Sequence, residues 1–223
     1  MIEARGIARQ APATEEHLLK PTDFRLAAGE RVAVTGSSGS GKSVLLRTLA
    51  LLDPLDDGQI LWRGKPVVSA EIPQYRRHVC YIAQRPAMLD GTVEDNLRYP
   101  FTLKAYQGLQ YNRDTALQLA RKAGRDDRFL SKPASDLSGG EAQVTALIRV
   151  LQLDPDALLL DEPTASLDPG SAADIEALVT AWFHGDPKAS RAYVWVSHDH
   201  LQAERMSTHQ LTMRAGALSG IPA

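Results

Sequence analysis

The chain has 223 residues, 43% of them hydrophobic, enough to bury one substantial core within one or two domains. A formal net charge of −2 excludes the wholesale electrostatic attraction expected of a nucleic-acid binder, so no nucleic-acid partner is expected. A single cysteine, Cys80, excludes an intramolecular disulfide, and no uncharged apolar run approaches the ~20 residues needed to cross a bilayer. Met1 to Gly6 lacks the apolar core of a signal peptide. These features lead us to expect a soluble cytoplasmic protein that meets a membrane only through a partner.

In chain order, the first thirty residues read as an antiparallel strand pair. Ile2 to Ala8 leads in, Gln10 to Glu16 is a polar excursion, and Phe24-Arg25-Leu26 returns to a turn at Gly29-Glu30. Arg31-Val32-Ala33-Val34-Thr35 is β-branched and stops at a glycine, the pattern of a buried strand. Beyond the Gly/Ser-rich stretch 36–43, Val44 to Leu52 reads as an apolar helix stopped by Asp53-Pro54. Asp56-Asp57-Gly58 is a turn leading into a strand over Gln59 to Arg63, which Gly64-Lys65-Pro66 closes. Val79 to Ala83 is a further short strand, in which Cys80 reads as a buried structural thiol. From about Pro86 to Pro133 the patterns become helical, as in Asp114 to Ala123 with Gly124 as a stop. This change of character predicts a helical subdomain, approximately 86–150, inserted in a single domain over 1–223. Asp156 to Leu160 then forms a continuous apolar strand of the kind covered on both faces. A helix from about Gly170 to Phe183 and a strand over Ala192 to Val196 complete an α/β pattern.

The stretch Gly36-Ser37-Ser38-Gly39-Ser40-Gly41-Lys42-Ser43 fits the phosphate-loop pattern G-x-x-x-x-G-K-[ST], between the strand and the helix that its mechanism requires. Its glycines let successive backbone N–H groups turn inward around phosphate oxygens, and the helix start adds unsatisfied donors. Lys42 would reach the β and γ phosphates, and the Ser43 hydroxyl would hold Mg²⁺. Leu160-Asp161-Glu162-Pro163 ends the second buried strand, where open α/β sheets bind ligands. Asp161 would anchor Mg²⁺, directly or through water, and Glu162 would polarise an attacking water. Leu137-Ser138-Gly139-Gly140-Glu141 opens the apolar helix Ala142 to Leu153 and makes a second anion-binding helix start.

With that second stretch the chain closely resembles the ATP-binding subunits of ABC transporters. Leu137 to Glu141 matches their signature sequence in its glutamate-ended variant. Gln84, in Tyr81-Ile82-Ala83-Gln84, matches the Q-loop, Ser166-Leu167-Asp168 the D-loop, and Ser197-His198-Asp199 the switch histidine. The resemblance covers nearly the whole chain. It implies a P-loop NTPase of ABC ATPase type, with a RecA-like core, an antiparallel β subdomain and an inserted helical subdomain. It implies ATP and Mg²⁺ as cofactors, a homodimer in the ATP-bound state, and a separate transmembrane permease subunit. The chain would then lie on the inner face of the cell membrane. In such a dimer Ser138, Gly139, Gly140 and Glu141 of one copy would face the nucleotide held by the other. His198 would bond the γ-phosphate, Gln84 would touch Mg²⁺ or the attacking water, and Asp168 would reach across the interface.

Two departures stand out. The pair after the signature is Gln143-Val144 where relatives commonly carry Gln-Arg, and the usual adenine-stacking ring is missing near Ala11. Arg9 or His17 would be the remaining stacking groups. The run Gln84 to Leu89, then Gly91 to Leu97 and Tyr99-Pro100-Phe101, resembles more closely the ATPase subunits of the bacterial iron-export family. Met88, Leu89, Leu97, Tyr99 and Phe101 would either line a groove for a permease helix or form the subdomain's own core. Rival readings are a soluble ABC-type ATPase acting on DNA or ribosomes, and a simple nucleotide kinase. The spacing, with only about fifty residues between Gln84 and the signature, argues against the coiled coil of repair types.

Overall fold

The computed structural model describes residues 1–12, 16–165, 167–185 and 191–220. Ser166 of the expected D-loop and 13–15 of the polar excursion lie outside them. Strands β1 (Ile2–Gln10) and β2 (His17–Leu26) form a hairpin, and β3 (Arg31–Thr35) leads into α1 (Lys42–Leu49). Next come β4 (Asp57–Trp62), β5 (Lys65–Pro66), α2 (Ile72–His78) and β6 (Val79–Ile82), then helices α3 (Val93–Arg98), α4 (Arg113–Lys122) and α5 (Gly139–Leu151). The chain ends with β7 (Ala157–Asp161), α6 (Pro169–His184), β8 (Ala192–Val196), α7 (His200–Met206), β9 (His209–Arg214) and β10 (Ala217–Ser219). Two compact units result: Met1–Tyr81 with Asp156–Glu162 and Ser190–Ala223, and Ile82–Pro155 with Pro163–Ala189.

The first unit holds both sheets. One is antiparallel, in the order β2-β1-β4-β5, and the other runs β10-β9-β3-β8-β7-β6. In the latter, β3 pairs in parallel with both β8 and β9, and β7 with β8. The central strands β7 and β8 are buried at every position, as a continuous apolar run predicts for a strand covered on both faces. Helix α1 contributes Leu45, Leu46 and Leu49 to one cluster with Ile2, Ile7 and Leu26 of the antiparallel sheet and Val32, Val34, Leu159 and Val194 of the parallel one. That cluster fixes the start of α1 against both sheets.

Several boundaries move from their sequence expectation. The hairpin is longer, pairing from Ile2 opposite Leu26 out to Gln10 opposite His17. Helix α1 stops at Leu49 rather than Leu52. Leu51 turns left-handed (φ 54°), and its N–H and that of Leu52 bond back to Thr48 O and Arg47 O at 2.9 Å. This is a Schellman stop with leucine where glycine is usual. Helix α5 begins at Gly139, three residues earlier than expected, because Ser138 caps it. Helices α2 and α7 and strands β9 and β10 carry no strong sequence pattern. Each helix spans seven residues, and β9 buries only Leu211 and Met213. Cys80 is buried, and burial pushes its thiol pKa up to about 12, so it is inert packing.

The second unit is helical, built where α5 meets α3, α4 and α6. Val93, Leu97, Ala120, Val144, Leu147, Ile148, Leu178 and Val179 are all buried. Leu97, offered by the sequence as a groove residue or a core residue, is core. Asn96 is also fully buried. Its side chain accepts from Leu89 N at 2.8 Å and donates to Leu89 O and Thr92 O at 3.0 Å, which anchors the loop before α3. Among the described residues no helix is long and apolar enough to cross a membrane.

Candidate functional site

The loop 36–43 owes its path to glycines at two close approaches. Gly36 has φ 145°, and a Cβ there would fall 2.3 Å from Met213 O; Gly41 has φ 108°, and its Cβ would fall 2.9 Å from Leu18 O. Substitution at either position meets backbone, so the loop is walled by the start of β2 and the end of β9. Gly216 seals the wall: its N–H donates to Ser40 O at 2.9 Å, and its carbonyl accepts from Lys20 N at 2.8 Å.

Inside that wall, Lys42 is 5% exposed. Its ammonium donates to Gly36 O at 2.9 Å and Ser37 O at 3.0 Å, and lies 3.5 Å from Glu162 Oε1. The Ser43 hydroxyl donates to Asp161 Oδ1 at 3.0 Å, and Tyr81 OH donates to Asp161 Oδ2 at 2.8 Å. Asp161 is 3% exposed, so both of its oxygens are fixed in a nearly dry site. Burial, and then the adjacent Asp161 carboxylate, raise the Tyr81 phenol well above its ordinary value and keep it a donor. The sequence reading passed over Tyr81; its hydroxyl, in an otherwise apolar strand next to Gln84, is the signal that was there.

Glu162 has φ 46°, a left-handed backbone rare outside glycine and characteristic of functional turns. Its carboxylate lies between the Lys42 ammonium on one side and the His198 ring, with Nδ1 at 3.7 Å, on the other. His198 is 68% exposed at the end of β8. The turn that carries it is fastened from beneath. Ser197 Oγ and Trp195 Nε1 both donate to buried Gln202 Oε1, at 2.8 and 3.2 Å, and Asp199 caps α7 by accepting from Leu201 N and Gln202 N. Gln202, unremarked in the sequence, is the group that ties this turn to α7.

The donor set at Ser43 and Asp161, a hydroxyl and a carboxylate, fits the hard-oxygen preference of Mg²⁺, which usually takes one or two carboxylates plus substrate phosphates. Among the described residues no cluster of three or more His, Cys, Asp or Glu side chains suggests an all-protein metal cage. A buried lysine in a ring of inward-turned backbone fits a phosphate.

The second anion-binding candidate stands at the start of α5. Ser138 and Glu141 form a reciprocal capping box: Ser138 Oγ accepts from Glu141 N at 3.2 Å, and Glu141 Oε2 accepts from Ser138 N at 2.8 Å. Ser138 and Gly139 are exposed. Gly140 is buried, and a Cβ there would fall 2.7 Å from Ser171 Oγ, so the glycine is required by packing against the start of α6. Asp168 caps α6, accepting from Ser171 N at 3.0 Å and Ser171 Oγ at 2.6 Å; these bonds hold its pKa low.

Gln84 is exposed in the bend just past β6. The unusual pair Gln143-Val144 is buried, at 2% and 0% exposure, and Gln143 Nε2 donates to Ala83 O at 3.2 Å. Those positions are packing rather than helix surface, and Gln143 braces the backbone beside Gln84. Near Ala11, the Arg9 guanidinium is held by Asp56 at 2.7 Å, which leaves His17 as the exposed ring at the start of β2.

The chain is similar to known proteins in sequence and in fold. Residues 19–165 match the family model described as ABC transporter. The chain is 40% identical over 217 residues to Protein STAR1 of Oryza sativa subsp. japonica, covering 96% of this chain and 60% of that one. It therefore spans less than two thirds of that relative's length. It is 35% identical over 189 residues to the Probable iron export ATP-binding protein FetA of Escherichia coli (strain K12), covering 84% of this chain and 80% of that one. Among solved structures, the dimeric post-hydrolysis state of the ATP-binding cassette MJ0796, bound to ADP and Pi, superposes with a TM-score of 0.86 at 24% identity, covering 100% of both chains.

Proposed function

The chain belongs to the ABC transporter family and has the fold of its ATPase cassettes, and on that premise we propose that it is the ATP-hydrolysing subunit of a transporter whose membrane-spanning part is a separate permease. The observation that carries the reading is the polar cluster at the loop 36–43, built on buried Lys42 and Asp161. Lys42, Ser43, Asp161 and Glu162 converge there, each at hydrogen-bonding or ion-pair distance from another.

In this reading Lys42 leaves the Gly36 and Ser37 carbonyls to neutralise the β and γ phosphates, and Ser43 and Asp161 would hold Mg²⁺. When bound, Mg²⁺ would supply further charge neutralisation for phosphoryl transfer. Glu162 takes the proton of a water whose oxygen bonds to the γ-phosphorus as the bond to the β-phosphate oxygen breaks, and ADP and phosphate leave. His198, beside the Glu162 carboxylate, donates to the γ-phosphate. Gln84 would touch Mg²⁺ or the attacking water. Ser138, Gly139, Gly140 and Glu141 act on the nucleotide of a second copy, and Asp168 reaches that copy's interface. The segment 82–155, with its helices, serves as the coupling subdomain. Leu89, Tyr99, Leu103 and Leu109 are 40–44% exposed there, which supports a permease contact on that unit. The resemblance to FetA supports a metal ion, iron first, as cargo.

Affinity isolation of the tagged chain from native membranes tests the reading. The expected companion is a polytopic membrane protein, with ATPase activity in the co-eluting fraction that Lys42→Ala abolishes. Elution with ribosomes or DNA and no membrane protein would overturn the transport assignment while leaving the ATPase intact.

A further inference from the structure

A glutamate at the start of a phosphate-facing helix is electrostatically awkward, and the surrounding residues show how its charge is absorbed. Lys132 Nζ lies 2.8 Å from both carboxylate oxygens of Glu141. Both side chains are partly buried, at 34% and 20% exposure. Partial burial by itself would raise the Glu141 pKa, but the Lys132 ammonium and the Ser138 N–H overcome it and hold the carboxyl below its usual range. Glu141 is therefore ionised at neutral pH, a full negative charge in the first turn of α5. That charge suits the helix end but opposes any phosphate approaching Ser138 and Gly140. Lys132, Arg125 and Glu141 border one concavity of about 440 Å³. Arg125 is already engaged by Asp174 at 2.9 Å, so among the described residues Lys132 is the cation in contact with Glu141.

Resting on the two-copy reading of the signature stretch, we propose that Lys132 is a positioning residue for it. Lys132 neutralises Glu141 and keeps the carboxylate folded back on the Ser138 N–H. Ser138 Oγ accepts from Glu141 N, so its own hydrogen is left to donate outward to an anionic γ-phosphate. Without Lys132 the acidic signature repels the phosphate it must receive. The pair Lys132–Glu141 is thus electrically equivalent to a neutral residue at 141.

The test uses the full chain carrying Glu162→Gln, in which MgATP drives accumulation of the two-copy form, read by light scattering against ATP concentration. Adding Lys132→Met raises the half-saturating ATP concentration, by about five- to tenfold for one uncompensated charge in a solvated site. Adding Glu141→Gln to that variant brings it back to within about threefold of the starting protein, because two neutral groups replace two opposed charges. The Lys132→Met defect also shrinks as ionic strength rises from about 0.01 M to about 0.1 M, where the screening length falls from about 30 Å to about 10 Å. Loss of a merely structural lysine would show neither the rescue nor the salt dependence. Unchanged dimerisation in Lys132→Met, or a double variant no better than it, overturns the proposal. If Glu162→Gln alone stays monomeric with MgATP, the two-copy reading falls first and takes this premise with it. Thermal melting checks folding, and Lys132→Gln carries the same comparison should Lys132→Met fail to fold.

Discussion

The two anion-binding regions of this molecule are built in opposite ways. Around Lys42 the polar groups are bonded to one another about two buried charges, Lys42 and Asp161: lysine to loop carbonyls, Ser43 and Tyr81 to Asp161, Glu162 between Lys42 and His198. Around Ser138 the helix start itself is exposed at Ser138 and Gly139, and its bonds run within the helix end and from Glu141 to Lys132. A buried polar cluster is preorganised and carries its own reference geometry, so it can orient a reacting phosphate without outside help. An exposed helix start leaves the Ser138 hydroxyl and the first-turn backbone open to an approaching partner. The contrast explains why one region reads as the chemical centre and the other as a surface that a second molecule completes.

The largest way to break that contrast is Glu162→Gln. If the Lys42 cluster is the chemical centre, removing the carboxylate that lies beside both Lys42 and His198 lowers kcat by roughly 10²–10⁴-fold, the usual worth of a general base. ATP binding survives, and size-exclusion chromatography with MgATP shows a dimer. A monomeric variant that hydrolyses ATP at the parent rate would relocate the chemistry.

Mixing two inactive variants sharpens the other half of the comparison. Lys42→Ala removes the buried ammonium and weakens ATP binding by roughly 10- to 100-fold, from the ~1.5–3 kcal/mol of a charge-assisted contact. Ser138→Arg blocks the exposed helix start. In a two-site dimer one copy of each puts both lesions in one site and leaves the other intact, so the mixture recovers hydrolysis that neither variant has alone. Recovery has no explanation with Ser138 acting on its own chain's nucleotide.

The same division governs what was legible in the sequence. The loop 36–43, β3, β7 and β8 were readable because a buried apolar strand ending in a glycine-rich or acidic turn leaves a local pattern. Ser138 as a helix cap was readable too, since Ser-x-x-Glu is a capping box in the chain itself. What escaped were contacts made by residues far apart in sequence. Tyr81 reaches Asp161 across 80 positions, and Gln202 fastens the His198 turn from a seven-residue helix with no periodicity to betray it. Leu51 hid the end of α1, since an apolar residue in a left-handed stop looks like more helix. Lys132 and Glu141 are close in sequence, yet nothing in a loop lysine announces its partner.

The base end of the site shows what the buried cluster does not supply. The stacking ring is missing at Ala11, and Arg9 is engaged by Asp56. Phosphate contacts, blind to the base, then dominate affinity, and ATP and GTP bind within about tenfold of each other, or ~1.4 kcal/mol. Ala11→Tyr tightens ATP binding by part of the ~1–3 kcal/mol that base stacking is worth. Calorimetry with both nucleotides checks this, and a parent preference well beyond tenfold would show that another group, His17 first, reads the base.

The smallest effect belongs to Tyr81, and it asks whether the buried cluster is as self-contained as its bonds suggest. Asp161 accepts from Ser43 on one oxygen and from Tyr81 on the other, so its carboxylate is aimed before any ligand arrives. Tyr81→Phe keeps the ring, which is half-buried beside the core cluster, and deletes only the hydroxyl. One lost hydrogen bond is worth about 0.5–1.5 kcal/mol, or roughly 2- to 12-fold. That loss falls on Mg²⁺ if Asp161 is the carboxylate that holds it, as proposed, while Lys42 and the loop backbone are untouched. The Mg²⁺ concentration for half-maximal MgATP binding therefore rises several-fold, and binding of ATP in EDTA stays at the parent value. A loss of equal size with and without Mg²⁺ would mean that Tyr81 supports the phosphate loop as a whole rather than aiming Asp161. In that case the cluster would be one packed unit, with no separable seat for the metal.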